Sequence, residues 1–117
     1  MSKYVIAHDL GTSGNKATLY GLDGKLYASA FRAYPTYYPG PNCVEQNAHD
    51  WWGAVCASTK ALLEQSGVDA SQVAGVSFSA QMMGCLLVDG QGEPLRNMII
   101  WADMRSGKQA AFMEREL

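Results

Sequence analysis

The sequence predicts an α/β domain whose elements run β-β-β-α-β. Three observations predict it. An apolar run over residues 4–7 leads into a carboxylate, Asp9, and a tight small-residue turn, Gly11-Thr12-Ser13-Gly14. A second strand-like run and the turn dipeptide Asp23-Gly24 follow directly, which makes a hairpin series. A stretch of helical periodicity around Trp51 and Leu62 is then followed by a further apolar strand-like run.

In order, residues 3–8 read as the first strand and 14–22 as the second, where Thr18 and Tyr20 favour strand. After Asp23-Gly24, residues 25–34 read as the third strand. Pro35, Pro39, Gly40 and Pro41 make the next segment a loop. Asn47 is placed to cap a helix, with Asp50 three residues on as a weak capping-box acid. Trp51, Trp52, Val55, Thr59, Leu62 and Leu63 fall on one helical face, and Gly67 is a natural stop. Residues 73–78 read as a buried strand and 85–88 as another. The turn Asp89-Gly90-Gln91-Gly92 precedes a short apolar run at 98–101, and residues 103–117 read as helix. This order is that of the start of a ribonuclease H-like, actin-like ATPase domain.

The first turn carries the chemistry. A strand that delivers an acid into a small-residue loop can hold a phosphate and its metal ion: Asp9 can bind Mg²⁺ or its waters, and loop N–H groups and hydroxyls can face phosphate oxygens. The loop is not a Walker A sequence, which needs Gly-Lys-[Ser/Thr] at its end. It is not a Rossmann turn either, because the stretch before Asp23-Gly24 is too short for a crossover helix and return. The plainer alternative is a glycine-rich hairpin turn with no ligand.

Composition excludes several classes. The chain has 117 residues, enough for one modest domain. With 48% hydrophobic and 17% charged residues it is globular rather than disordered. A net charge of −2 with scattered basic residues argues against nucleic acid as the partner. No apolar run is long enough to span a membrane, and the start is not a signal peptide, so a cytoplasmic location is expected. Cys43, Cys56 and Cys85 are odd in number and far apart, which fits neither a disulfide framework nor a zinc site. They read as reduced, buried or half-buried fillers.

Four motifs in order give the chain a resemblance to the FGGY family of carbohydrate kinases, especially its xylulokinase-like members. They are Asp9-Leu10-Gly11-Thr12-Ser13-Gly14-Asn15-Lys16, Val44-Glu45-Gln46-Asn47-Ala48-His49-Asp50-Trp51-Trp52, Ser79-Ala80-Gln81-Met82-Met83-Gly84, and Leu95-Arg96-Asn97-Met98-Ile99-Ile100-Trp101-Ala102-Asp103-Met104-Arg105. The resemblance implies transfer of the γ-phosphoryl of ATP, with Mg²⁺, to a hydroxyl of a small-molecule sugar or polyol. It implies that Asp9, Gly11, Thr12 and Ser13 face cofactor and metal, and that Gln81, Met82, Met83, Trp101 and Asp103 surround the sugar. It leaves a homodimer open. It also implies that the family's catalytic aspartate, second phosphate loop and adenosine site lie beyond residue 117. On that expectation the chain is the front part of the first actin-like domain, inactive by itself. Other readings are a non-catalytic nucleotide-binding module of the actin/Hsp70 type, which would lack the Gln81 and Trp101 motifs, and a structural or interaction domain.

Two departures from the family pattern matter. Met83 stands where xylulokinases carry His, and a thioether cannot make the imidazole's hydrogen bonds. That points to a sugar or polyol other than D-xylulose. His8 stands where an apolar residue is usual, and a hydrogen-bonded strand-end histidine is its plainer role. Trp51 and Trp52 read as packing residues, Glu45 and Gln46 as local hydrogen-bonding groups, and Arg105 as structural.

Overall fold

The computed structural model describes residues 3–117. They form two compact units, the first of residues 3–34 with His49–Gln81, the second of Pro35–Ala48 with Met82–Leu117.

The first unit is built on strands β1 (Tyr4–Leu10), β2 (Gly14–Gly21), β3 (Leu26–Ala33) and β5 (Val73–Ala80), with helix α1 (Ala48–Ser66). Its sheet order is β3-β2-β1-β5. The first three strands are the expected antiparallel meander, and β5 pairs parallel to β1, as the crossover through α1 requires. Alternation in β2 is strict: Asn15, Ala17 and Leu19 are fully buried, while Lys16 is exposed. Ile6, Ala17, Leu19, Ala28 and Ala30 form a core with Ala61 and Leu62 of α1. Small residues on the strands let the helix approach, and Leu62 fills the space they leave. The helix stops where the sequence indicates. Gly67 takes φ +67° and donates its N–H to the Leu63 carbonyl at 2.9 Å, a left-handed cap that suits glycine. A short 3-10 turn, Ala70–Gln72, capped by the Asp69 carboxylate, leads into β5.

The second unit holds the short strands β4 (Glu45–Gln46) and β6 (Met98–Ile99), paired antiparallel, and helix α2 (Gly107–Glu116).

Several expectations are corrected. β5 is not buried: it lies at the sheet's edge beyond β1, and Val76 and Phe78 are about half exposed. Residues 85–88 form only isolated bridges, Cys85 with Ile99 and Val88 with Pro94. The final helix starts at Gly107 rather than residue 103, because Asp103 and Arg105 are engaged in side-chain pairing ahead of it. Trp52 is exposed rather than packed, and Cys56 and Cys85 are exposed. The β4–β6 pair was not foreseen, since two-residue strands carry no periodic signal.

Because Leu62 is fully enclosed and Leu22 is 68% exposed, their truncations should separate. Leu62→Ala is expected to cost about 2–5 kcal/mol, and Leu22→Ala less than about 0.5 kcal/mol. Urea titration of both variants measures this, and equal midpoints would place the core elsewhere.

Candidate functional site

In the first unit the site is assembled around the end of β1. Successive side chains of a strand face opposite ways. His8 turns inward, 2% exposed, so Asp9 turns outward. Lys16 lies directly across from Asp9 in the antiparallel register, and Thr18 across from Ala7, so these share the outer face. With Tyr20 and Ser79 they line a shallow recess of about 380 Å³. Lys16 was missed as a site residue by sequence reading. The signal was present: in a hairpin pinned at Gly11–Gly14, the first outward cation on the returning strand must oppose Asp9.

The loop Gly11-Thr12-Ser13 is held by its carbonyls. The Gly11 N–H donates to the Gly14 carbonyl at 3.1 Å, and the Tyr34 N–H donates to the Ser13 carbonyl at 3.4 Å. The Tyr34 hydroxyl donates to the Gly11 carbonyl. Two loop carbonyls, of Gly11 and Ser13, are thus bound by Tyr34, while the Gly11 N–H is used within the hairpin. Tyr34 is itself buried, and that burial, helped by the charge of Asp9, pushes its phenol up to about 12. It remains a hydrogen-bond donor at any physiological pH. Gly14 permits a close approach: a Cβ there would stand 2.6 Å from the Arg32 carbonyl and 2.9 Å from the Ala33 Cα. Parallel pairing of β1 with β5 puts Ser79 beside Asp9, and the Gln81 N–H donates to the Leu10 carbonyl at 2.9 Å. The first and third sequence motifs therefore meet at this strand end.

Behind the loop lies a buried polar group. Asn15 Nδ2 donates to His8 Nδ1 at 2.9 Å and to Ser58 Oγ at 2.8 Å, and His8 Nε2 is 3.2 Å from Thr59 Oγ1. The His8 ring also stacks on Phe78, with centroids 5.1 Å apart. Burial holds His8 below its ordinary value of 6.5, against a smaller opposing effect of the Asn15 hydrogen bond. It is the hydrogen-bonded strand-end histidine anticipated from sequence.

In the second unit, Arg105 is a hub. Its Nε and Nη2 lie 2.7–3.0 Å from the Asp103 carboxylate, and Nη2 also reaches Glu45 Oε1 at 2.8 Å. Arg96 pairs with the same Glu45 oxygen. Asp103 further accepts the Val44 N–H at 2.6 Å and the Arg105 N–H at 3.0 Å. Both of its oxygens are occupied, and its side chain is 2% exposed. Gln46, fully buried, donates to Thr36 Oγ1 at 2.9 Å. Ile99 pairs with both Glu45 and Cys85, so the second and fourth motifs are joined here with the residues just after the third. Trp101, Met82 and Met83 are 56%, 72% and 85% exposed. Met83 also adopts φ +59°, a left-handed conformation uncommon for a non-glycine residue. Among the described residues no group of three or more His, Cys, Asp and Glu could enclose a metal, and no helix is long and apolar enough to cross a membrane.

The profile described as the FGGY family of carbohydrate kinases, N-terminal domain, matches residues 4–117. A glycerol kinase from Acaryochloris marina is 36% identical over 104 residues, covering 88% of this chain and 21% of that protein. A xylulose kinase from Bacillus subtilis is 38% identical over 111 residues, covering 95% and 22%. Among solved structures, a xyloylose kinase from Brucella ovis superposes with a TM-score of 0.90 at 31% identity, over 97% of this chain and 24% of that one. The chain thus spans about a fifth of the length of the curated relatives it matches.

The Arg105 hub should respond to acid. Arg105 is the main cause holding both Asp103 and Glu45 below their ordinary values of 3.8 and 4.5. A carboxylate depressed in the folded state contributes stability above its unfolded value and loses it as pH falls through the folded one. Protection of the Val44 amide from hydrogen exchange, corrected for intrinsic rate, is therefore expected to be flat above pH 4.5 and to fall progressively below it. Asp103→Asn should start from lower protection and lose most of that acid dependence. The same acid profile in both proteins would remove the hub from the account.

Proposed function

This chain belongs to the FGGY family of carbohydrate kinases, and on that premise we propose that it supplies the phosphate-facing hairpin and part of the acceptor pocket of a sugar or polyol kinase. Such an enzyme transfers the γ-phosphoryl of ATP to a hydroxyl of its acceptor. The observation that carries the reading is an outward carboxylate, Asp9, at the mouth of a loop whose carbonyls are bound from within, with Lys16 across the strand.

Phosphoryl transfer rests on positioning and charge neutralisation. Thr12 and Ser13, with loop N–H groups, face phosphate oxygens. Lys16 adds a cation on the same outer face as Asp9. One exposed carboxylate fits Mg²⁺, which keeps several waters and binds through one or two carboxylates with substrate phosphates. Asp9 would hold and orient such an ion, which would supply neutralisation of charge on the transferring group. Of the residues that the resemblance assigns to the acceptor, Gln81 ends the first unit, with its backbone N–H on the Leu10 carbonyl, and Met82, Met83 and Trp101 of the second unit have exposed apolar surface suited to a sugar's carbon skeleton. Asp103 contributes through Arg105 and the Val44 N–H, holding the segment that carries Trp101. The domain is, in this proposal, the front part of the first actin-like domain of the kinase.

In the whole protein, Asp9→Asn should lower kcat by roughly 10² or more with little change in acceptor affinity, because a charge facing metal or phosphate acts mostly in the transition state. Steady-state kinetics test this, and wild-type turnover would sink the assignment.

Met83 should steer acceptor choice. It replaces a hydrogen-bonding residue, so the pocket discriminates less by polar contact at that point. An acceptor other than D-xylulose is expected. Met83→His should shift the ratio of kcat/KM values toward D-xylulose. Histidine also tolerates the positive φ found there better than most residues. A panel of pentuloses and polyols on both proteins decides it. An unchanged ranking would make Met83 a bystander.

A further inference from the structure

We infer that the His8–Asn15–Ser58–Thr59 network, buried at its first three members and half-buried at Thr59, is a positioning clamp for the phosphate loop, so that these four residues set turnover without touching a substrate. The inference rests on the reading of Asp9 and its loop given above. His8 and Asn15 bracket residues 9–14, the acid and the whole turn, and a direct hydrogen bond of 2.9 Å joins the two stems. Each stem is then tied to one of two consecutive residues of α1, Asn15 to Ser58 at 2.8 Å and His8 to Thr59 at 3.2 Å.

The hydrogens have one consistent arrangement. Ser58 Oγ and Thr59 Oγ1 each donate to the Val55 carbonyl, at 3.1 and 2.8 Å. Each hydroxyl has a single proton, so toward the hairpin both can only accept. Ser58 therefore accepts from Asn15 Nδ2, and Thr59 accepts from the His8 Nε2–H. Neutral His8 then accepts at Nδ1 from the second Asn15 hydrogen. A helix register displaced by one residue would break both ties at once.

Burying this much polarity is costly where apolar side chains could pack instead. His8 is 2% exposed, Asn15 and Ser58 not at all, and Asn15 Oδ1 lies buried with no partner. The role the geometry offers is facing. With His8 and Asn15 held inward, alternation forces their neighbours Asp9 and Lys16 onto the outer face, opposite each other. Hydrogen bonds at both His8 ring nitrogens and at the Asn15 amide nitrogen tie the two stems to fixed partners, and displacement of a reacting group by about 1 Å can cost on the order of 10²-fold in rate.

The experiment is a set of variants in the whole kinase, with kcat, acceptor KM and melting temperature read on each. His8→Leu keeps bulk and removes both hydrogen bonds. It is expected to lower kcat about ten- to a hundredfold, with acceptor KM within about twofold. His8→Asn sets an amide oxygen near the Nδ1 position for Asn15, and should recover much of the lost kcat. Thr59→Val, nearly isosteric, should lower kcat in the same direction, and it decides the matter if His8→Leu does not fold. Wild-type kcat per folded molecule in Thr59→Val and His8→Leu, alongside a disabled Asp9→Asn, would overturn the clamp and leave the phosphate site standing. Wild-type turnover in Asp9→Asn would overturn the phosphate site, and the clamp with it.

Discussion

The facing of β1 is the constraint on which the rest of the first unit depends. A strand has two sides, and a slip of one residue exchanges them. Ile6 packs into the core and His8 is bonded to Asn15 and Thr59, so the inward set is decided by both apolar and polar contacts. The outward set follows: Ala7 and Asp9 on β1, Lys16 and Thr18 on β2, Ser79 on β5. Parallel pairing with β5 then brings Gln81 to the loop through the Leu10 carbonyl. Glycine at position 14 lets β2 and β3 meet closely enough for Tyr34 to reach back to Gly11.

The second unit is organised by charge rather than by an apolar core. Two carboxylates, Glu45 and Asp103, are almost wholly enclosed at their side chains, and two guanidiniums serve them. Removing one member of such a set leaves the others uncompensated, which is why paired burial specifies an arrangement even where it adds little stability. Arg105 suits the hub because its planar fork engages Asp103 through Nε and Nη2 while Nη2 also reaches Glu45. Asp103 has both oxygens taken by Arg105 and backbone N–H groups, whereas Trp101, Met82 and Met83 keep exposed surface.

The hairpins, the helix and its glycine stop, the Asp9 turn and the family resemblance were all legible in the amino-acid sequence alone. The elements depend on residues within a few positions of one another, a turn dipeptide, a 3.6-residue period, an acid ahead of a Gly-Thr-Ser loop, and the resemblance on short motifs in a fixed order. What the sequence did not disclose depends on partners far along the chain. The exposure of β5 reflects its place at the sheet edge, which an apolar run cannot announce. Pairing of Glu45 with Ile99, closure of Asp103 onto Val44, and the tie from Asn15 to Ser58 are tertiary choices among many polar residues of similar type. Short-range periodicity and turn chemistry thus determined which elements form. The burial and pairing of distant side chains, which no local period encodes, decided which of their faces carries the chemistry.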